Sequence, residues 1–548
     1  MTRPVRRAVL VLLAVLVVVA AVVGGLVATG RLPAGTGGSP AAAATPTPSL
    51  PGPAVAPAPS VLPPLPAAAP APDPVALARL LDPLLASPAF GKGSAGASVL
   101  DASTGEVLYA RDAAAPRTPA SVTKLATAVA VLQDVGADAR LRTRVVAGAR
   151  PGDLVLVGAG DPTLTAQPPS AVAGDDLPDR ASLVALADAT AAALRPLAPA
   201  EVHVGVDDGL FTGPAASPSW PPSYVGEGIV APVHALAVDE ARVDPRSTGQ
   251  APRVQDPALD AGRRFAALLA ARGLRVAGEV TREAAPPAGQ PRTPWVQPGA
   301  ATGGPVSDVP SEAAGGPSEG ASGQETGSSS AGAGAASPGG VVASVDSPPM
   351  SVLVGHMLRI SDDDLAEALG RIAALGSGRP GSFDGASQAL LAVLGGPSAG
   401  RLHDASGLSR DNALAPRAVA RLLARVADPS SDSSSETPTA RPSGSPSAAA
   451  GGALRPLPPE VRAAVLDGLP VAGFTGTLDD RFAVGDGAGA VRAKTGTLTG
   501  VSSLAGLVVD ADGRLLVFAV LSDSVTDTLQ ARAALDRVAA ALAGCGCR

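Results

Sequence analysis

Three stretches of this chain cannot contribute to a folded core, and their placement limits what the rest can build. Residues 32 to 73, 286 to 345 and 428 to 453 are dominated by Pro, Ala, Gly, Ser and Thr. Such segments bury too little apolar surface to offset the entropy lost on ordering, and proline keeps them extended. The first reads as a linker. The second and third interrupt sequence with clear periodicity, so they read as disordered loops leaving a folded body. The foldable sequence therefore comes in pieces: 74 to 145, 146 to 285, and 346 to 548 around the loop at 428 to 453.

The N-terminus addresses the compartment. Arg3, Arg6 and Arg7 precede an uncharged apolar run from Ala8 to Thr29. That run is long enough to cross the roughly 30 Å hydrocarbon layer as a helix, with its basic flank on the cytoplasmic side. Residues 1 to 30 are expected to be a membrane anchor or a signal peptide, the length favouring the anchor. Residues 31 to 73 would join it to an extracytoplasmic body in the cell envelope. The formal net charge of −7 and the lack of a basic stripe argue against a nucleic-acid partner. Cys545 and Cys547 form a C-x-C at the end of the chain, which is no disulfide framework. His203, His234, His356 and His403 are scattered and show no metal-ligand spacing.

Periodicity places the elements. Val75 to Leu85 is helical, and Gly96 to Leu100 and Glu106 to Ala110 are strands around a turn. Leu504 to Val509 and Leu515 to Leu521 form a second hairpin. Thr526 to Leu542 is an amphipathic helix, with Leu529 among its apolar positions. Both ends of the foldable sequence thus supply strands and a helix, which predicts an antiparallel sheet flanked by helices and closed by the termini. Between them, strands are expected at Leu154 to Val157 and Val202 to Val206, and helices at Leu183 to Leu194 and Ala261 to Arg272. Val352 to Leu375 returns to helical periodicity with alternating acidic residues.

The chemistry is marked by lysine. Only Lys92, Lys124 and Lys494 occur among 42 basic residues. Arginine stays protonated, whereas a lysine can lose its proton when buried or set beside another cation. Lys124 closes Ser121-Val-Thr-Lys124, and prolines precede an Ala-rich helix there. Residues three apart share a helix face, so the Lys124 amine is expected over the Ser121 hydroxyl, ready to take its proton. Lys494, Thr495, Gly496 and Thr497 begin an exposed strand. A cation and a hydroxyl side by side suit a carboxylate, and the glycine would let a substrate backbone approach. Asp404-Ala-Ser-Gly-Leu-Ser-Arg-Asp-Asn-Ala413 is a polar loop offering Ser409 and Asn412.

A Ser-x-x-Lys far upstream of a Lys-Thr-Gly resembles the penicillin-binding and serine β-lactamase group. The chain is similar, more narrowly, to class C low-molecular-mass penicillin-binding proteins, the D-alanyl-D-alanine carboxypeptidases and endopeptidases of the S13 type. Gly158-Ala-Gly-Asp-Pro-Thr-Leu164, Leu236-Ala-Val-Asp-Glu-Ala-Arg-Val243 and Ser347-Pro-Pro-Met350 with Ser361-Asp-Asp-Asp-Leu-Ala-Glu367 support the match. The last pair resembles the run that precedes the middle motif. That motif is usually Ser-x-Asn; here Asn412 lies three after Ser409, and Asp411 takes the second place.

The resemblance implies an α/β (α+β) fold of the serine β-lactamase/penicillin-binding transpeptidase type. Residues 74 to 145 and 346 to 548 would form the catalytic domain and 146 to 285 the inserted domain or domains. Ser121 would attack the D-Ala-D-Ala carbonyl of a peptidoglycan stem peptide and form an acyl-enzyme. Lys124 would accept its proton, Ser409 would relay a proton to the leaving D-alanine, and Asn412 would hold the peptide. Lys494 and Thr495 would bind the terminal carboxylate, and the Ser121 and Thr497 N–H groups the oxyanion. β-Lactams would acylate Ser121, and neither metal nor cofactor is implied. The rival readings are a β-lactamase, for which no Glu-x-x-Leu-Asn setting is present, and a non-catalytic wall-binding or β-lactam-sensing module.

Overall fold

The structure is a computed structural model. It describes residues 69–91, 95–169, 177–197, 199, 201–287, 293–298, 337–428, 456–482 and 485–547. The N-terminal apolar run, most of the first linker, Lys92 and most of the loop at 428 to 453 lie outside the described residues. Among the described residues no helix is long and apolar enough to cross a membrane.

The folded part opens with α1 (Pro74–Leu85), β1 (Gly96–Asp101) and β2 (Val107–Arg111). Asp73 caps α1 by accepting from the Ala76 N–H at 2.8 Å, and proline takes the first helical position. A 3-10 turn, Ala120–Thr123, leads into α2 (Lys124–Val135). Then come β3 (Arg140–Ala147), β4 (Asp153–Val157), α3 (Leu183–Leu194), β5 (His203–Asp207), α4 (Pro257–Ala271), β6 (Thr281–Arg282), β7 (Trp295–Val296) and β8 (Val341–Asp346). Helices α5 (Met350–Ile360), α6 (Asp363–Gly376) and α7 (Phe383–Val393) follow. The short strands β9 (Gly400–Arg401) and β10 (Ala413–Leu414) precede α8 (Pro416–Ala427) and α9 (Pro459–Gly468). The chain ends in β11 (Val491–Leu498), β12 (Val501–Val509), β13 (Leu515–Ser522) and α10 (Thr528–Ala543).

As the periodicity predicts, the two ends meet in one antiparallel sheet, ordered β11-β12-β13-β1-β2. Strands β12 and β13 are buried along nearly their whole length because both faces of the sheet are covered. On one face α1 sets Leu77, Leu81 and Leu85 beside Leu535, Val538 and Leu542 of α10. The Asp73 N–H donates to the Cys547 carbonyl at 2.7 Å and ties the two ends together. Leu529, expected on the apolar face of α10, points outward and is 74% exposed. Cys545 and Cys547 are bonded to each other.

The other face carries the helical layer. Its central member is α2, buried from Leu125 to Leu132 among α5, α6, α7 and α9. Burial on every side removes the need for an amphipathic pattern, so alanine and valine fill the helix and let neighbours approach closely.

The inserted region forms a second sheet, ordered β6-β5-β4-β3-β7, with β8 also pairing β3. It is mixed: β4, β5 and β6 run parallel, joined through α3 and α4, while β7 and β8 are antiparallel to β3. Two of the expected boundaries fall inside elements. The division after residue 145 lies within β3, and the one at 345 lies within β8. The low-complexity stretch at 286 to 345 therefore contributes β7 and most of β8 to this sheet.

The helical periodicity from Val352 to Leu375 is carried by two helices. The break is at Ser361, whose φ of 65° ends α5. Asp362 then caps α6, its Oδ1 accepting from the Leu365 N–H at 2.9 Å. Neither proline nor glycine causes the break. A Ser-Asp-Asp-Asp string supplies an N-cap and first-turn carboxylates, both favoured at a helix start.

Candidate active site

Ser121 lies in the 3-10 turn one step before α2, not in the α-helix itself. Ala120 ahead of it has a φ of 50°, and the Thr123 hydroxyl donates to the Ala120 carbonyl at 2.9 Å to hold the turn. Ala120 is fully buried, and positive φ is costly for an alanine, so packing must hold it there. The result presents the half-buried Ser121 hydroxyl at the N-terminal end of α2. The Lys124 Nζ donates to it at 3.0 Å, as the spacing of three predicts.

Lys124 is fully buried and has two further acceptors: Asp363 Oδ1 at 2.5 Å and the Ser406 carbonyl at 2.8 Å. An ammonium has three protons to donate, and all three acceptors are in place.

The second lysine is also here. The Lys494 Nζ, on edge strand β11, donates to Ser361 Oγ at 2.8 Å and to the Thr495 carbonyl at 3.0 Å. Burial and the neighbouring Lys124 charge push Lys494 well below the ordinary lysine range, with Asp363 opposing. Lys124 has a carboxylate partner; Lys494 has only a hydroxyl and a carbonyl.

A cleft of about 350 Å³ gathers these groups, lined by Ser121, Ser361, Asp363, Thr477, Thr495 and Thr497. Arg481 and Arg532 also line it. Thr495 Oγ1 donates to Thr477 Oγ1 at 3.0 Å. Lys494 itself is fully buried and stands behind Ser361 and Thr495. A larger cavity of about 820 Å³ adjoins at Ser361 and Asp363 and extends to residues of the insert, including Arg242 and Arg253.

Gly496 has a different task from the one expected. A Cβ there would stand 2.4 Å from the Pro119 carbonyl and 3.3 Å from the Ser121 nitrogen. The backbone that approaches it closely is the protein's own nucleophile turn.

The structure does not bring Ser409 and Asn412 to the cleft. Both are fully buried. They serve Asp404: the Ser409 N–H and the Asn412 Nδ2 donate to its two oxygens at 2.5 and 2.6 Å. Asn412 Oδ1 in turn accepts from the His403 N–H at 2.7 Å. Asp411 is exposed, its N–H donating to Ser409 Oγ at 3.2 Å. The whole loop is a satisfied polar network, which a buried carboxylate requires. Its contribution to the site is the Ser406 carbonyl on Lys124.

In place of Ser409 and Asn412, Ser361 and Asp363 line the cleft, bonded to Lys494 and Lys124, in a Ser-Asp-Asp string with aspartate where the pattern usually has asparagine. By the resemblance, this string belongs to the run ahead of the middle motif. A search for Ser-x-Asn passes over it, yet the capping signature inside a helical run marks a break there.

A family model for the D-Ala-D-Ala carboxypeptidase 3 (S13) family matches residues 77–252, 323–441 and 459–542. The chain belongs to this family. Among S13-like relatives, a carboxypeptidase of Mycobacterium tuberculosis is 33% identical over 83% of this chain and 81% of its own. The carboxypeptidase DacB of Mycolicibacterium smegmatis is 33% identical over 86% of this chain and 84% of its own. A D-alanyl-D-alanine carboxypeptidase of an Actinomadura species is 29% identical over 79% of each. The S13 fold is shared with penicillin-binding protein 4 of Haemophilus influenzae: TM-score 0.56, 18% identity, covering 84% of this chain and 97% of that one.

Behind the S13 site lies an acidic, buried shell. Burial and neighbouring carboxylates push Asp362 well above the usual range. Burial raises Asp364 to about 7 against the opposing pull of Arg253, which bonds it at 2.6 Å. Burial, with Asp404 nearby, raises Glu367 to about 8. Ligand atoms of Glu240, His356 and Asp362 also come within 4.8 Å of one another. Arg242 already bonds Glu240 at 2.9 Å, and the group reads as an ion-pair cluster, not as a metal centre.

Proposed function

We infer that the chain is a serine D-Ala-D-Ala carboxypeptidase acting on peptidoglycan stem peptides. The observation that carries this is the Ser121–Lys124 contact at 3.0 Å, in a cleft shared with Ser361 and Thr495. Ser121 attacks the carbonyl of the penultimate D-alanine as Lys124 takes its proton. The Ser121 and Thr497 N–H groups receive the developing oxyanion, each such donor being worth about 3 kcal/mol. Ser361 hands a proton to the departing D-alanine, and Lys494 supplies its hydrogen bond. Water then releases the acyl group.

The terminal carboxylate is read by Thr495 and Thr497, with Arg532 supplying positive charge. Lys494 acts from behind. Its proton affinity recovers when a carboxylate arrives, since an anion favours the charged form. β-Lactams acylate Ser121 as mimics of the substrate. The adjoining cavity of about 820 Å³ favours an endopeptidase reading alongside, because a cross-linked substrate brings a second peptide.

The body works in the cell envelope, where this substrate lies. The apolar run at Ala8 to Thr29 directs its export, as a retained anchor or as a cleaved signal peptide. The test is D-alanine release from a D-Ala-D-Ala pentapeptide, alongside fluorescent penicillin labelling. Ser121→Ala should abolish both; release of D-alanine by that variant refutes the reading.

A further inference from the structure

Lys124 poses a difficulty that the proposed chemistry has to solve. A lysine that donates to three acceptors holds three protons and cannot receive a fourth. Its acceptors are the Ser121 hydroxyl, the Ser406 carbonyl and the Asp363 carboxylate. A carbonyl cannot keep a proton at neutral pH, and the hydroxyl is the group to be activated. The carboxylate alone can take one. It lies at 2.5 Å, the shortest of the three contacts. Its side chain keeps 24% exposure, facing the cleft, while Lys124 has none.

We propose that Asp363 is the proton-accepting partner of Lys124, so that serine activation runs through a lysine–aspartate pair. The proposal rests on Ser121 being the nucleophile. Before attack, one proton passes from the Lys124 ammonium to an Asp363 oxygen, leaving an amine and a carboxylic acid with no change in net charge. As the Ser121 Oγ–carbon bond forms, the Ser121 proton moves to the amine. When the carbon–nitrogen bond breaks, one proton leaves the pair through Ser361 for the departing amine. That donation returns the pair to its starting charge; in deacylation the attacking water gives one proton to the pair, and the pair gives one back to the Ser121 oxygen as it departs. An asparagine at 363 offers Lys124 an amide oxygen but stores no proton.

The charged surroundings are mixed. Lys494 faces the pair from β11. Arg481 and Arg532 face it across the cleft. Asp362 and Asp364 flank it in the chain, with Glu240 and Arg253 beyond. Glu367 lies one turn along α6, bonded to the Ala405 and Ser406 N–H groups and near Asp404. All are retained in an Asp363→Asn variant, so the comparison isolates one carboxylate.

The sign of the pH effect separates this role from simple anchoring. With the pair, no proton need leave the protein, and activity persists on acidification until a second proton is added. With asparagine, Lys124 must release its proton to solvent. The acid limb of kcat/KM then moves to higher pH. If Asp363 only held the lysine cation, removing it would make deprotonation easier, and the limb would move to lower pH.

The experiment measures penicillin acylation and D-alanine release for the wild type and Asp363→Asn, from about pH 5 to pH 9. Melting curves check that the variant is folded. The expected result is an acid limb raised by about one unit or more, and so about a tenfold deficit at acidic pH that shrinks toward alkaline pH. A proton inventory in mixed light and heavy water should be curved for the wild type, with two protons in motion, and linear for the variant. A limb that stays or moves down, a uniform loss at every pH in a folded variant, or identical inventories overturn the proposal. Wild-type protein that is never acylated at Ser121 would instead overturn the reading on which it rests.

Discussion

Ser361 Oγ accepts a hydrogen bond from Lys494 Nζ at 2.8 Å, joining the break between two helices to the edge strand of the sheet. The bond aims a hydroxyl into the cleft that also holds Ser121. Ser361→Ala should therefore lower kcat by about 10² to 10³-fold, in the range of a lost proton-transfer group. The melting temperature should also fall, by the equivalent of about 1 to 3 kcal/mol, because the buried Lys494 Nζ loses one of its two hydrogen-bond partners, so turnover is compared where the variant is folded. Steady-state D-alanine release with a parallel melt checks this.

Ser409→Ala should spare turnover. Its hydroxyl accepts from the Asp411 N–H inside a buried loop and does not line the cleft. Removing it costs about 1 kcal/mol of stability. Turnover at a temperature where the variant is folded should stay within about twofold of wild type. The pair of variants distinguishes the two Ser-containing strings.

Gly496→Ala should cripple acylation without unfolding the protein. The new Cβ meets the Pro119 carbonyl at 2.4 Å and pushes the nucleophile turn and β11 apart. Displacement of about 1 Å in a reacting geometry costs on the order of 10² in rate. The second-order rate of penicillin acylation is the measurement.

Arg532→Ala should raise KM more than it lowers kcat. The side chain lines the cleft, is 35% exposed and stands 4.0 Å from Asp480. A charge that reads the terminal carboxylate in both ground and transition states contributes uniform binding. A peptide amidated at its C-terminus should lose the difference between variant and wild type.

Glu367→Gln should change how stability depends on pH. Burial holds this carboxyl at about 8 in the folded protein, above its unfolded value near about 4.3. The folded state thus binds the extra proton between those limits. Stability from this group is full below about pH 4.3 and is lost as pH rises toward 8. The loss approaches roughly 1 kcal/mol per pH unit. Glutamine keeps the acceptor for the Ala405 and Ser406 N–H groups and cannot ionise. Melting temperatures across that window should fall less steeply in the variant than in the wild type.

Where the sequence reading succeeded, the reason was local. Pro74–Leu85, the two hairpins and Thr528–Ala543 follow from periods of 3.6 and 2 within single segments. The Ser121–Lys124 contact follows from residues three apart on one helical stretch. The rarity of lysine, three in the whole chain, marks both the helix α2 and the strand β11 that meet at the cleft.

What failed depends on information the local pattern lacks. The Ser361 break interrupts a run that is apolar at helical spacing on both sides. Only the capping chemistry of Ser-Asp-Asp-Asp betrays it. Ser409 and Asn412 have the composition of a site loop, and the buried Asp404 that consumes them is visible only once the chain is folded. Strands β7 and β8 sit in or beside proline- and glycine-rich sequence, where strand pairing is set by β3, far away in the chain.

The most direct test of this account is to incubate the protein with benzylpenicillin and map the adduct by mass spectrometry of its peptides. The account predicts one penicilloyl group on Ser121, absent from the Ser121→Ala variant, which also releases no D-alanine. An adduct on another residue, or undiminished hydrolysis by that variant, would contradict it.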